Sequence, residues 1–323
     1  MVDRTRMEAA LPMAFRGLGG APGRSSGKVR EWRDIGGGRR LLVTTDRISA
    51  FDRVIGAVPW KGQVLNQLSA WWNGKTADIL PNHLESIPDP NASIVRECRP
   101  LPVEVVVRGY ITGVTSTSLW QRYAEGDRRI YGYDFPEGLE KNRPLPEPIV
   151  TPTTKAEAGT HDERLDRDEV VLKGLVEKKL WDQVLDAALA LFERGSELAA
   201  KGGIILVDTK YEFGIDTEGR LVLIDEIHTP DSSRFWKADT YESRLASGQE
   251  PENMDKEFVR MKFARLGYRG EGPIPEMEIS TWVETGLLYQ RAYEAITGLA
   301  FEPSEYPVEP RLEKNLEKAG IRV

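Results

Sequence analysis

"IILVDTKYEFGIDTEGRLVLIDE", residues 204–226, decides how the middle of this chain folds. Two apolar runs flank Thr217–Gly219, so the stretch reads as a β-hairpin. Strand side chains alternate, which puts Asp208, Lys210 and Glu212 on one face and Val207, Thr209, Tyr211 and Phe213 on the other. A solvated outer face explains such alternation in most proteins. The returning strand weakens that view, because Asp225 and Glu226 follow directly on "LVLI". One of the two must point inward, and a buried charge is very costly unless a cation or metal pairs with it. A two-residue turn would give paired residue numbers an odd sum and set Asp225 on the face of Lys210 and Glu212. The other register would turn Glu226 there instead and Asp225 away. Two carboxylates and a lysine on one strand face suit Mg²⁺ and a nucleotide's phosphates, since magnesium is held by one or two carboxylates plus substrate phosphates.

The chain continues as "HTPDSSRFW", residues 228–236. Pro230 fixes the backbone, and Asp231, Ser232, Ser233 and Arg234 supply an acid, two hydroxyls and a planar cation. Arginine binds carboxylate or phosphate through paired hydrogen bonds. An ordinary polar turn has the same composition. However, "TPTTK", residues 151–155, repeats the order of proline, hydroxyls and cation and ends in Lys155. Two such loops in an acidic protein point to a pocket for an anionic substrate. "VVVRGYITGVTSTSLW" places Arg108 at the exit of an apolar strand, where arginine needs an anionic partner. The hydroxyls after Gly113 suit either a ligand or a helix start.

"SSGKVR", residues 25–30, fails as a Walker motif, because it lacks GxxxxGK[ST] and opens a hairpin rather than a helix. A glycine-rich hairpin folded over phosphates would place Lys28 beneath them. In "TTDRISAFD", Asp46, Arg47 and Asp52 read as an internal ion pair bracing a loop. His161 in "GTHDE" is either a base or a hydrogen-bonded surface residue, and Cys98 reads as a buried hydrophobe.

Composition sets the outer limits. The chain has 323 residues, 40% of them hydrophobic and 29% charged, as expected of a soluble globular protein of about two domains. With 44 basic and 51 acidic residues the net charge is −7, which argues against a nucleic-acid binder. One cysteine and three histidines leave too few ligands for a structural zinc site, and a lone cysteine fits a reducing compartment. The first twenty residues lack the apolar core of a signal peptide, and no stretch reaches the length of a membrane span. A cytoplasmic protein acting on small molecules, without nucleic acid or membrane, as a monomer or small homo-oligomer, is the expectation.

Along the chain, "GKVREW" and "RRLLVTTDR" flank Gly36–Gly38 as a hairpin. "VLNQLSAWW" carries Leu65, Leu68 and Trp72 at helical spacing. "VEVVV", residues 103–107, reads as a central strand. "NRPLPEPIVTPTTK" holds too many prolines for regular structure over most of its length. Trp181, Val184, Leu185, Ala188 and Phe192 mark a long helix that Gly202 and Gly203 end. Thr281–Glu284 resembles a capping box, Gly298 a stop, and Pro310 and Gly320 bracket a last short helix. Hairpins first, a mixed middle and helices last make an α+β chain.

Taken together, "GKVREW", "TTDRISAFD", "KGQVLNQLSAWW", "VEVVVRGYITG", "TPTTKAEAGTHDE", "DTKYEFG" and "LIDEIHTPDSSRFW" resemble, in order, the SAICAR synthetases. These are the phosphoribosylaminoimidazole-succinocarboxamide synthases of purine biosynthesis. The resemblance runs from about Gly27 to Trp236 and more weakly beyond. It implies a SAICAR-synthase-like α+β fold: a loose lead-in over 1–24, an antiparallel β nucleotide-binding domain over 25–102 and an α/β substrate and ATP-Mg domain over 103–236. A helical part over 237–323 would pack on that second domain. It implies an ATP-dependent ligase joining L-aspartate to the carboxylate of carboxyaminoimidazole ribonucleotide through an acyl phosphate. By position, Gly27, Lys28, Glu104, Lys210, Glu212 and Asp225 would meet ATP, with Glu212 and Asp225 on Mg²⁺. Arg108, Ser116, Lys155, Asp231, Ser232, Ser233 and Arg234 would meet the ribonucleotide and aspartate. Lys28, Lys210, Asp231 and Arg234 would act in the chemistry. Many members read RGYITGS, whereas Val114 follows Gly113 here, which shifts the phosphate hydroxyl to Ser116 or Thr115. A kinase-like small-molecule phosphotransferase and a non-catalytic nucleotide-binding protein are the alternatives.

Overall fold

The structure, a computed structural model, describes residues 2–19, 23–114, 118–155 and 163–321; Thr115, Ser116 and His161 lie outside these. Strands Arg30–Gly36 and Arg39–Thr44 form the first hairpin. Its turn runs through left-handed backbone at Gly36, Gly37 and Gly38 (φ 79°, 65° and 68°), which glycine adopts without a Cβ clash. With Ser25–Ser26, Ala92–Arg96 and Leu84–Asp89 it makes a five-stranded antiparallel sheet.

One face of that sheet, with Leu41, Val43 and Ile94, is covered by Val308, Leu312 and Leu316 of the last helix, Val308–Lys318. This corrects the expected packing of the whole 237–323 part on the second domain. The helix carries its apolar residues at i, i+4 and i+8, and the sheet offers the matching uncovered face. The lead-in is also more ordered than its sequence implies. Arg4–Ala10 is helical, Asp3 accepts from the Arg6 N–H at 2.8 Å, and Val2, Met7 and Ala10 are buried against helix Ile279–Thr297. Two turns are too few for periodicity to show. No capping box forms at Thr281, because the helix begins at Ile279 and Thr281 is buried in its first turn. Gly298 does end it, with φ 70°.

The second sheet runs Pro144–Thr154, Val103–Tyr110, Ile204–Ile215 and Leu221–Ile224. Strand 103–110 is central as read, and the proline-rich stretch is corrected to an eleven-residue strand. It lies at the end of the sheet order, where missing N–H groups are tolerated, and its ladder is irregular between Pro144 and Ile149. Beneath the sheet, Val103, Val105, Val107, Tyr211 and Phe213 pack on Trp181, Val184, Ala188 and Phe192 of helix Lys178–Lys201. Leu68 and Trp72 of helix Lys61–Lys75 complete this core, while Cys98 is buried and free. Among the described residues no helix is long and apolar enough to cross a membrane.

Candidate active site

The upper face of the second sheet follows from strand alternation. Arg108 is paired with Asp208 and Val106 with Lys210, so Glu104, Arg108, Asp208, Lys210 and Glu212 share that face. Thr151 and Thr153 join it from the edge strand. Strand Ser233–Lys237 lies along the other side of 204–215 and adds Arg234 opposite Asp208.

One end of this face is cationic. Arg108 Nε donates to Thr151 Oγ1 at 2.8 Å, and the Arg108 and Arg234 guanidiniums reach the same oxygen of Asp208 at 3.3 and 2.9 Å. Asp208 is thus shared by two cations, and Glu257, Asp255 and Glu250 also act on Arg234. A cavity of about 330 Å³ opens at this end, lined by Thr112, Gly113, Arg234, Trp236, Glu250 and Arg269, among others.

The other end gathers carboxylates, roughly 13 Å along the strand. Lys210 Nζ bonds Glu104 and Glu212, each at 2.7 Å, and Lys155 reaches the second oxygen of Glu212. Burial opposes the charge of Lys210, but Glu212, Glu104 and Asp225 together raise its pKa above the usual value.

Asp225 arrives there by a route that alternation does not describe. Glu212 is paired with Ile224 and Phe213 with Leu223, so the paired numbers sum to an even value, not the expected odd one. The turn holds five residues, 216–220, because Asp216 Oδ1 accepts from the N–H groups of Glu218 and Arg220, both at 2.9 Å. In that register an extended Asp225 would point away from Glu212. Its φ of 64° breaks the strand and swings the carboxyl back to within hydrogen-bond reach of Glu212. Aspartate tolerates this left-handed conformation better than most residues. Burial alone would push its pKa up; Arg30 and Lys210 overcome that and hold it well below the usual carboxylate range.

Arg30 is the partner that sequence reasoning missed. It projects from the five-stranded sheet, with one guanidinium nitrogen on Asp225 and another on Glu226 at 2.6 Å. The signal was present in "GKVRE", where a second cation follows Lys28 by two residues. Lys28 itself is half-exposed and pairs with Asp52, and Gly27 closes the tight turn by donating to the Arg30 carbonyl at 2.8 Å.

The "DSSR" residues divide. Asp231 is buried, bonded to Lys61 Nζ at 2.7 Å and Tyr289 Oη at 2.6 Å. Ser232 Oγ accepts from the Thr229 N–H at 3.1 Å, and Ser233 is buried against Thr209 at 2.7 Å on the opposite face. Among these four only Arg234 stands in the cationic cluster. Nor do Asp46 and Arg47 form an ion pair. Asp46 accepts from Phe15 N at 2.8 Å, Gly62 N at 2.9 Å and Tyr306 Oη, whereas Arg47 lies 3.6 Å from Glu31.

Residues 24–273 match the family model for SAICAR synthetase. A phosphoribosylaminoimidazole-succinocarboxamide synthase of Legionella pneumophila (strain Paris) is 48% identical over 296 residues, covering 90% of this chain and 94% of that protein. The SAICAR synthase of Saccharomyces cerevisiae, solved in complex with SAICAR, superposes with a TM-score of 0.76 at 32% identity, over 88% of this chain and 98% of that one. A SAICAR synthetase solved in complex with ADP superposes with a TM-score of 0.65 at 27% identity, over 86% and 99%. With the motifs in order, the fold shared and most of its length matched, the chain belongs to the SAICAR synthetase family.

Proposed function

We infer that this chain is the ATP-dependent ligase of its family, joining L-aspartate to the carboxylate of carboxyaminoimidazole ribonucleotide to give SAICAR, ADP and phosphate in purine biosynthesis. The observation that carries the reading is the division of one sheet face into a cationic and a carboxylate end. Arg108 and Arg234, with Arg265 and Arg269 lining the same cavity, suit the ribonucleotide's anionic groups. Glu104, Lys210, Glu212 and Asp225 suit ATP, with Lys210 held charged among three acids.

A carboxylate is inert to amines because its carbonyl carbon is electron-rich. Transfer of the γ-phosphoryl group to it gives an acyl phosphate, from which the aspartate amine displaces phosphate. The substrates supply both nucleophiles, so the protein's part is positioning and charge neutralisation. The residues present fit Mg²⁺: Glu212 and Asp225 are neighbouring hard oxygen ligands, the one or two carboxylates with which magnesium is held beside substrate phosphates. When bound there, the ion would neutralise developing phosphate charge. Lys155 adds a cation beside Glu212, and the reducing cytoplasm suits the free, buried Cys98.

Release of ADP, followed with carboxyaminoimidazole ribonucleotide with and without aspartate, tests the reading. Full turnover should need both. Release independent of aspartate would indicate a phosphotransferase, and no turnover with ATP and Mg²⁺ a binding protein.

A further inference from the structure

His228 belongs to none of the polar contacts above, yet it sits at the root of the loop that carries them. Strands 221–224 and 233–237 both pair with strand 204–215, and residues 225–232 are the excursion between them. His228 is fully buried, with a left-handed φ of 48°. Its Nε2 lies 2.5 Å from the Tyr211 hydroxyl, and Tyr211 stands between Lys210 and Glu212 in strand 204–215. The ring meets Trp72 of helix 61–75 edge-on, with centroids 4.6 Å apart. It also fills a notch in helix 178–201 that exists because residue 195 is glycine: a Cβ there would overlap the imidazole.

Simple core filling explains this poorly. A leucine would fill the space without the orphan His228 Nδ1, which has no hydrogen-bond partner among the described residues. What histidine adds is a directed bond to the strand that bears the site. Burial pushes the imidazole down to about 3, so the ring is neutral and the bond to Tyr211 does not switch off near neutral pH. Three residues before it, Asp225 turns toward Glu212; one residue after it, the Thr229 hydroxyl donates to Glu226 at 2.6 Å.

We propose that His228 is a positioning residue for the Asp225 carboxyl: seated in the Gly195 notch and bonded to Tyr211, it fixes the 225–232 loop so that Asp225 stays beside Glu212. The importance of that placement rests on the ligase reading. Partners that orient metal-binding groups affect metal affinity without touching the metal.

The test compares the wild-type chain with His228→Leu and Tyr211→Phe by hydrogen exchange, thermal midpoint and ADP affinity with and without Mg²⁺. Both variants should exchange faster across residues 225–232, while helix 178–201 keeps its protection. The Mg²⁺ concentration that half-saturates ADP binding should rise about 10- to 100-fold, with ADP affinity in a chelator unchanged. His228→Gln, whose amide can reach Tyr211, should restore part of the loss. Wild-type loop exchange and Mg²⁺ dependence in His228→Leu would overturn the proposal. Tyr211→Phe, which removes one hydroxyl, gives the same decision if the leucine variant does not fold. A wild-type chain that binds no ADP would refute the ligase reading, and hydrogen exchange would still decide this one.

Discussion

At the residue scale, Asp225 joins opposing demands. It is buried beside Glu212, where a carboxylate is unwelcome, and held ionised by Arg30 and Lys210. A carboxyl whose pKa is depressed in the folded state adds stability near neutral pH that is lost on acidification, and it keeps its charge available to a ligand. Glu212→Gln and Asp225→Asn should each abolish turnover while the fold survives, since both substitutions keep shape and remove only charge. Turnover measured at saturating and at limiting Mg²⁺ checks this. Near-normal activity at limiting Mg²⁺ in either variant would remove that residue from the metal site.

At the scale of elements, the entry to helix 61–75 shows how one buried acid organises a junction. Asp46 gathers donors from the Phe15 N–H, the Gly62 N–H in the helix's first turn and the Tyr306 hydroxyl. Burial nevertheless pushes its pKa up to about 6, against those bonds and Lys61. The unfolded value is about 3.9. Between those values the folded state keeps a proton that the unfolded state has released. This contribution to stability is therefore full below about pH 4, falls as pH rises to about 6 and is level above. It is at most about 3 kcal/mol. Asp46→Asn cannot titrate, so the difference in urea unfolding free energy between wild type and variant should change across this window. An unchanged difference from pH 4 to 7 would show that Asp46 titrates alike in both states.

At the scale of the molecule, the two sheets meet through charge as well as through the shared helix 61–75. Arg30 crosses from the five-stranded sheet to Asp225 and Glu226, and Lys61 crosses to Asp231. Burial of Glu226, with Asp231 and Asp225 nearby, raises its pKa despite Arg30. Removing the arginine would leave acids buried together without their nearest cation. Arg30→Gln should cost about 3–5 kcal/mol in unfolding free energy, the usual result of breaking a buried pair from one side. Denaturant unfolding at pH 7 measures it, and a loss below 1 kcal/mol would mean that water or Lys210 replaces the guanidinium.

Local sequence was enough for whatever depends on neighbours within a few residues. The hairpin at Gly36–Gly38, the helices at Leu65–Trp72 and Trp181–Phe192, the central strand 103–107 and the shared face of Lys210 and Glu212 all follow from periodicity and turn chemistry. The family was legible from seven ordered motifs. Other features needed the tertiary structure, because their causes lie far apart in the chain. Proline-rich 144–154 becomes a strand only because a sheet edge accepts it, and the helix at 4–10 forms against helix 279–297. The hairpin register was set by Asp216 tying its own turn, and the facing of Asp225 by a single left-handed residue. Arg30 reaches Asp225 across 195 positions, and Asp231 turns inward to Lys61 across 170. Alternation says which side of a strand a charge leaves from; only the folded chain decides which opposite charge it meets.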